Sequence, residues 1–231
     1  MNLPTGIVTF LFTDIEGSSR LWERQPMAMR NAVARHDALL KAAVDENQGY
    51  LVKMRGDGLH AVFASVQDGV AAAVAGQRAL QAEAWDPGVG RLTVRMGLHS
   101  GTAQLRDEDY FGPTVNRAAR LQDSGHGGQI LLSQVSVGLI SSQLPAGISL
   151  EDLGRHQIKD FPAPERVYQV MAAGLPGRFP PLRASGGRRT NLPTPATSFV
   201  GRERELNAAK QLLEQGRLVT LTGPGGTGRP G

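Results

Sequence analysis

Two carboxylates stand where an apolar chain rarely leaves them. Asp14 closes the run Gly6-Ile-Val-Thr-Phe-Leu-Phe-Thr13, and Asp57 tips the turn in Lys53-Met-Arg-Gly-Asp-Gly58. The first run reads as a buried strand from its length and its β-branched and aromatic content, and Glu16-Gly-Ser-Ser19 stops it and opens a helix. The second reads as a hairpin tip. If the two strands pair, like charges meet, and only cations between them relieve the repulsion. Such a pair suits a two-metal phosphoryl-transfer site. The simpler readings are a helix N-cap for Asp14, with Ser18 and Ser19 close behind, and an Asp-Gly turn residue for Asp57.

More residues of the same kind follow. Asn116 and Arg120 lie four apart on an expected helix, hence on one face, while Arg117 lies on another. Arg95 precedes Met-Gly-Leu-His-Ser-Gly101, and Lys159 sits in Gln157-Ile-Lys-Asp160. Two acidic turns on a mixed sheet also occur in polymerase palms and response-regulator-like domains. Four blocks in one order say more. Phe12-Thr-Asp-Ile-Glu-Gly-Ser-Ser19, Lys53-x-x-Gly-Asp57, Arg95 to Gly101, and Asp109-Tyr-Phe-Gly-Pro-Thr-Val-Asn-Arg-Ala-Ala-Arg120 resemble the class III nucleotidyl cyclases, across residues 5 to 172.

The resemblance implies an adenylyl cyclase that closes ATP to 3′,5′-cyclic AMP and pyrophosphate. Asp14 and Asp57 would bridge two Mg2+ or Mn2+ ions, joined by the backbone carbonyl of Ile15. Lys53 and Asp109 match the positions that read adenine, whose N1 accepts and whose N6 amino group donates, and an unpaired buried partner is costly enough to give specificity. Asp107 and Glu108 are rivals for the role of Asp109. Asn116 would hold the ribose, and Arg120 would meet charge at the α-phosphate, where a planar guanidinium suits better than an ammonium. Arg95 and Lys159 match triphosphate contacts, although Asp160 stands where many relatives have Gly. The family's sites straddle a homodimer. The alternatives are a non-catalytic nucleotide-sensing module and a guanylyl cyclase, the latter disfavoured by Lys53 with Asp109. His60, His99 and His126 lack metal-ligand spacing and read as structural.

The elements that must position these groups alternate. Helix periodicity marks Ala28 to Val44, Val66 to Ala84 and Gly112 to Gln122; strand patterns mark Tyr50 to Arg55, Leu59 to Phe63, Leu92 to His99 and Ile130 to Leu132, with Val167 to Met171 closing the sheet. The order is β-α-β-β-α-β with additions, an α+β ferredoxin-like core that the resemblance also implies.

Net charge is +4, yet residues 1–173 carry 16 basic against 18 acidic side chains and residues 174–231 carry 9 against 3. The basic character belongs to the tail, so it marks no nucleic-acid surface on the main domain. No run approaches the roughly 18 apolar residues of a membrane span, no signal pattern opens the chain, and there is no cysteine for disulfides or thiolate chemistry. A cytoplasmic location is the expectation. Residues 1–172 are expected to form the cyclase domain and 173–198 a solvated Pro/Gly/Arg-rich linker, which includes Arg178 and Arg183. Residues 199–231 resemble the truncated start of a P-loop NTPase. Its loop Gly223-Pro-Gly-Gly-Thr-Gly228 runs into Arg229 and Pro230 where Lys and a hydroxyl are needed, so no ATPase activity is expected. A chain ending near Ala173 is accordingly expected to keep its chemistry.

Overall fold

The apolar run is the spine of the sheet. β1 (Ile7–Ile15) pairs antiparallel on one side with β3 (Gly58–Phe63) and on the other with β4 (Val94–Thr102). Both sets of backbone groups are thereby satisfied, which lets apolar side chains fill both faces of the strand. β2 (Tyr50–Arg55) flanks β3, and β4 continues in parallel to β7 (Ile130–Ser133). Then come β9 (Glu165–Ala172) and β8 (Ile148–His156), giving the order β2-β3-β1-β4-β7-β9-β8. The first four strands in that order are the ferredoxin-like arrangement, so the fold is α+β on a mixed sheet. The computed structural model describes residues 3–140 and 144–183; most of the expected linker and the expected P-loop fragment lie outside the described residues.

Helices clothe the two faces unequally. α2 (Pro26–Glu46) follows the short α1 (Ser18–Arg24), starts with Pro at its first position, and buries Met29, Ala32, His36, Leu40 and Ala43, at spacings of three and four. α3 (Val66–Ala82) is capped by Ser65, whose hydroxyl accepts the Asp68 N–H at 3.1 Å. Both pack with Leu11, Ile15, Phe63 and Leu98. The other face is led by α4 (Pro113–Ser124), whose Ala118 meets Val8, Phe10 and Val62. Side chains alternate along a strand, so Asp14 shares that second face with Val8, Phe10 and Phe12. α5 (Gln134–Gly138) follows β7.

α4 sits unusually close to the sheet. A Cβ on Gly97 of β4 would lie 2.5 Å from the backbone N of Gln122 and 2.7 Å from its Cα. Backbone cannot swing aside as a side-chain tip can, so glycine sets the depth at which α4 carries Asn116 and Arg120.

Three expectations need correction. Asp14 is not in a turn: the strand runs two residues further than the apolar run, and Asp14 faces Arg95 in the β1–β4 ladder. The strand over Val167 to Met171 does not close the sheet either. β8 lies outside it, with Glu151, Asp152 and Arg155 exposed, and a charged edge strand carries no apolar signature. Finally, residues 174–183 were expected to be solvated, yet Leu175 and Leu182 pack on the apolar clusters and Arg183 pairs with Glu16.

Gly97→Ala is expected to push α4 off β4, costing about 2 kcal/mol as overpacking does. Urea denaturation should show a lower midpoint with an unchanged slope; an unshifted midpoint would mean the helix yields freely.

Candidate active site

The metal end is built by register. A small turn joins β2 to β3, with Gly56 at φ 64, where a side chain is disfavoured. The Leu59 N–H donates to Thr13 Oγ1 at 3.0 Å, which ties the base of that turn to β1 beside Asp14. Burial is the largest influence on Asp14 and raises its pKa above the usual carboxylate value; Arg95 opposes this through charge and a hydrogen bond, while Asp57 and Asp123 add to the rise. One guanidinium therefore leaves the carboxylate undercompensated. On Asp57, Oδ2 is buried with no hydrogen-bond partner. Two hard oxygen donors short of positive charge are what Mg2+ or Mn2+ takes, so the residues fit divalent ions. Among the described residues no cluster of three His, Asp or Glu could hold a metal alone. The remaining ligands must come from elsewhere, as phosphate oxygens would supply them. Ile15 is buried and lies opposite Val94 in the ladder.

The second group is a donor and an acceptor side by side. Lys53 pairs across the hairpin with His60, and its Nζ lies 2.5 Å from Asp109 Oδ2. Asp109 opens β6 (Asp109–Phe111), which pairs with β5 (Gln104–Arg106). Asp107 and Glu108, the rival acids, form the tip of this arm with φ of 51 and 58. The tight turn thus selects Asp109. Burial pushes the Asp109 pKa up, but the Lys53 ammonium and the Tyr110 N–H together outweigh it and hold the group below its usual value. Lys53 and Asp109 side chains are 40% and 25% exposed. A pair this accessible is worth under about 1 kcal/mol, so a ligand offering both partners opens it cheaply.

The third group is on α4. Asn116, Arg117 and Arg120 line a cleft of about 520 Å3 with Asp160 and Phe161. Arg120 reaches Asp160 at 2.9 Å and Asp123 at 3.5 Å. Asp160 has φ 65, a backbone conformation that favours Gly. Lys159 is exposed beside it, between Asp160 and the buried Ile158. Neither Asp14 nor Asp57 lines this cleft.

Arg95 is a strand arginine paired with an acid: its guanidinium is engaged by Asp14, and its Nε is buried without a partner. Several contributors had no local signal. Tyr110 anchors Asp109 through its N–H, donates its hydroxyl to Pro4 O at 2.6 Å, and meets Phe10 edge-on. His60 stacks on Phe12 at 4.3 Å with both ring nitrogens unpartnered, while His99 shares a hydrogen bond with Ser133 at 2.8 Å. Burial, above all, lowers both histidines to about 4. They are neutral, which suits their expected structural role.

A sequence profile described as the Adenylate and Guanylate cyclase catalytic domain matches residues 2–172. An uncharacterized protein of Mycobacterium tuberculosis is 40% identical, covering 88% of this chain and 70% of that protein. A receptor-type adenylate cyclase of Trypanosoma brucei brucei is 32% identical over 78% of this chain, which spans 18% of that protein. Among solved structures, an adenylate cyclase from Trypanosoma brucei in its monomeric state superposes with a TM-score of 0.69 at 29% identity, covering 79% of this chain and 96% of that one. Among the described residues no helix is long and apolar enough to cross a membrane.

Two stability measurements probe the site without turnover. Because the folded pKa of Asp14 is raised, stability is lost as the pH rises from the ordinary carboxylate value through the folded one, and the loss is complete above it. Asp14→Asn should therefore melt no lower than wild type at neutral pH without metal, and Mn2+ should raise the melting temperature of wild type alone. A Mn2+ response retained in the variant would remove Asp14 from the metal site. For the depressed histidines the sign is opposite: stability present above 6.5 is lost as pH falls toward about 4, by about 3 kcal/mol per histidine. His60→Phe keeps the stacking and should remove about half of the fall in melting temperature between those limits, His99 supplying the rest; an unchanged slope would mean His60 takes up its proton in the fold.

Proposed function

Since the chain belongs to the adenylate and guanylate cyclase catalytic domain family, we propose that it is an adenylyl cyclase, making 3′,5′-cyclic AMP and pyrophosphate from ATP at sites shared by two copies. The observation that carries the choice of ATP is the Lys53 and Asp109 pair. Lys53 donates to adenine N1 and Asp109 accepts from N6, whereas guanine presents the reverse pattern at N1 and O6.

In the reaction the ribose 3′-oxygen attacks the α-phosphorus, the bond to the bridging oxygen of the β-phosphate breaks, and the hydroxyl proton is lost. Divalent ions between Asp14 and Asp57, with the Ile15 carbonyl, would lower the pKa of that hydroxyl and hold the triphosphate. Asn116 orients the ribose. Arg120 leaves Asp160 for the α-phosphate and meets the charge that develops there. Lys159 binds the β/γ end, and Arg95 exchanges Asp14 for a phosphate oxygen.

Dimerisation is supported by the separation of the two halves. The cleft bearing Asn116 and Arg120 excludes both metal aspartates, so a second chain is the natural source of the complement. Leu105 and Phe111 on the β5–β6 arm, Trp22 on α1 and Ile7 are exposed, an apolar supply suited to an interface. A soluble, cytoplasmic homodimer follows as the working form.

The purified chain with Mg2+ or Mn2+ should yield cyclic AMP from ATP and far less cyclic GMP from GTP. Asp14→Ala and Arg120→Ala should each be nearly inactive. Co-expressed, they should recover about a quarter of wild-type activity, since half the dimers are mixed and each has one complete site. Mixed dimers as dead as their parents would place the whole site in one chain, and absence of any cyclic product would favour a nucleotide-sensing module.

A further inference from the structure

No step of the proposed reaction uses Glu16, yet it adjoins the metal residues Asp14 and Ile15. Its N–H donates to Thr93 O at 2.9 Å. A peptide unit is planar, so this bond also fixes where the Ile15 carbonyl points. The carboxylate has two partners from distant parts of the chain. The Gly127 N–H donates to Oε2 at 3.1 Å, and the Arg183 guanidinium donates to Oε1. Gly127 is where the approach is tightest: a Cβ there would lie 2.3 Å from Thr93 Oγ1 and 2.7 Å from Glu16 Oε2.

Arg183 arrives on a strap that is fastened along its length. Gly177 O accepts from Gln169 Nε2 at 2.9 Å, and Pro181 O accepts from His126 Nε2 at 3.0 Å. His126 also stacks on Phe179, with ring planes 9° apart. Leu182 joins the cluster of Leu121, Leu131 and Ile158, and the Arg183 N–H donates to Ser124 O at 2.8 Å. The strap therefore grips the loop after α4 at two points, and that loop and Arg183 together grip Glu16.

We propose that Arg183 is a positioning residue for the end of β1: it holds Glu16, which orients the Ile15 carbonyl, and so couples that strand end to the chain leaving the domain. The functional unit then extends past residue 172, and a cut near Ala173 removes part of it. The ion pair is partly exposed, so its loss should be felt as a tuning of about threefold rather than as inactivation.

The geometry is tested on the full metal-free chain by hydrogen exchange. Arg183→Ala should speed exchange in peptides spanning residues 14–21 and 124–128 and leave those from β3 and β9 unchanged. Mn2+ binding, followed by the electron paramagnetic resonance of the free ion, should weaken about threefold, with the ATP KM at saturating Mn2+ unaltered. Arg183→Lys should restore both readouts. The proposal is overturned by unchanged exchange at residues 14–21, by exchange rising across the whole sheet, or by a lysine variant that behaves as alanine does. Its consequence for catalysis rests on the cyclase reading, but the exchange and binding results do not: a wild-type chain that makes no cyclic nucleotide would end that reading and leave the coupling standing.

Discussion

Holding two half-buried carboxylates, one on the central strand and one in the neighbouring hairpin turn, is a cost that the polypeptide does not recover by itself. Asp14 receives one guanidinium from Arg95, and one oxygen of Asp57 receives nothing. Everything around them is arranged to keep them there regardless. β1 is locked between two antiparallel neighbours, Thr13 ties down the hairpin that carries Asp57, and Thr93 holds the peptide after Ile15. Strain of this kind persists only where the surroundings over-determine it, and it is released when the missing charge arrives.

The same frame explains why the Lys53–Asp109 pair and the α4 groups are held differently. Lys53 on β2 and Asp109 on the short β5–β6 arm are joined by a surface pair, which opens at little cost. Asn116 and Arg120 ride on a helix whose depth is set by a glycine against backbone. On the proposed reading, recognition draws on an adjustable element and charge stabilisation on a rigid one.

Much of this was legible in the residues. The eight-residue apolar run, the alanine-rich helices and the exact bounds of Tyr50–Arg55 follow from periodicity, because buried elements must carry it. What was missed shares one physical cause. β8 is an edge strand dressed in charge whose inward residues Ile148 and Leu150 are only partly buried, and the β5–β6 arm is three residues a side with Tyr110 alone buried, so neither leaves a long pattern. The pairings of Asp14 with Arg95, Arg120 with Asp160, and Glu16 with Arg183 join residues 81, 40 and 167 positions apart. Such partners are decided by the closed sheet, not by neighbours in sequence. The choice among Asp107, Glu108 and Asp109 likewise waited on a turn whose two tip residues take positive φ.

Asp160 gives the cleft a property beyond holding one side chain. Arg120 is already paired, with two carboxylates in reach, so its own guanidinium adds little net field at long range. A polyanion approaching it is not drawn in from a distance as it would be by a bare guanidinium. Encounter then proceeds near the unsteered rate, with weak dependence on ionic strength. On the proposed reading, selection is deferred to contact, where the incoming oxygen must displace Asp160 from the arginine, and anions that lack the reach to do so leave as they came.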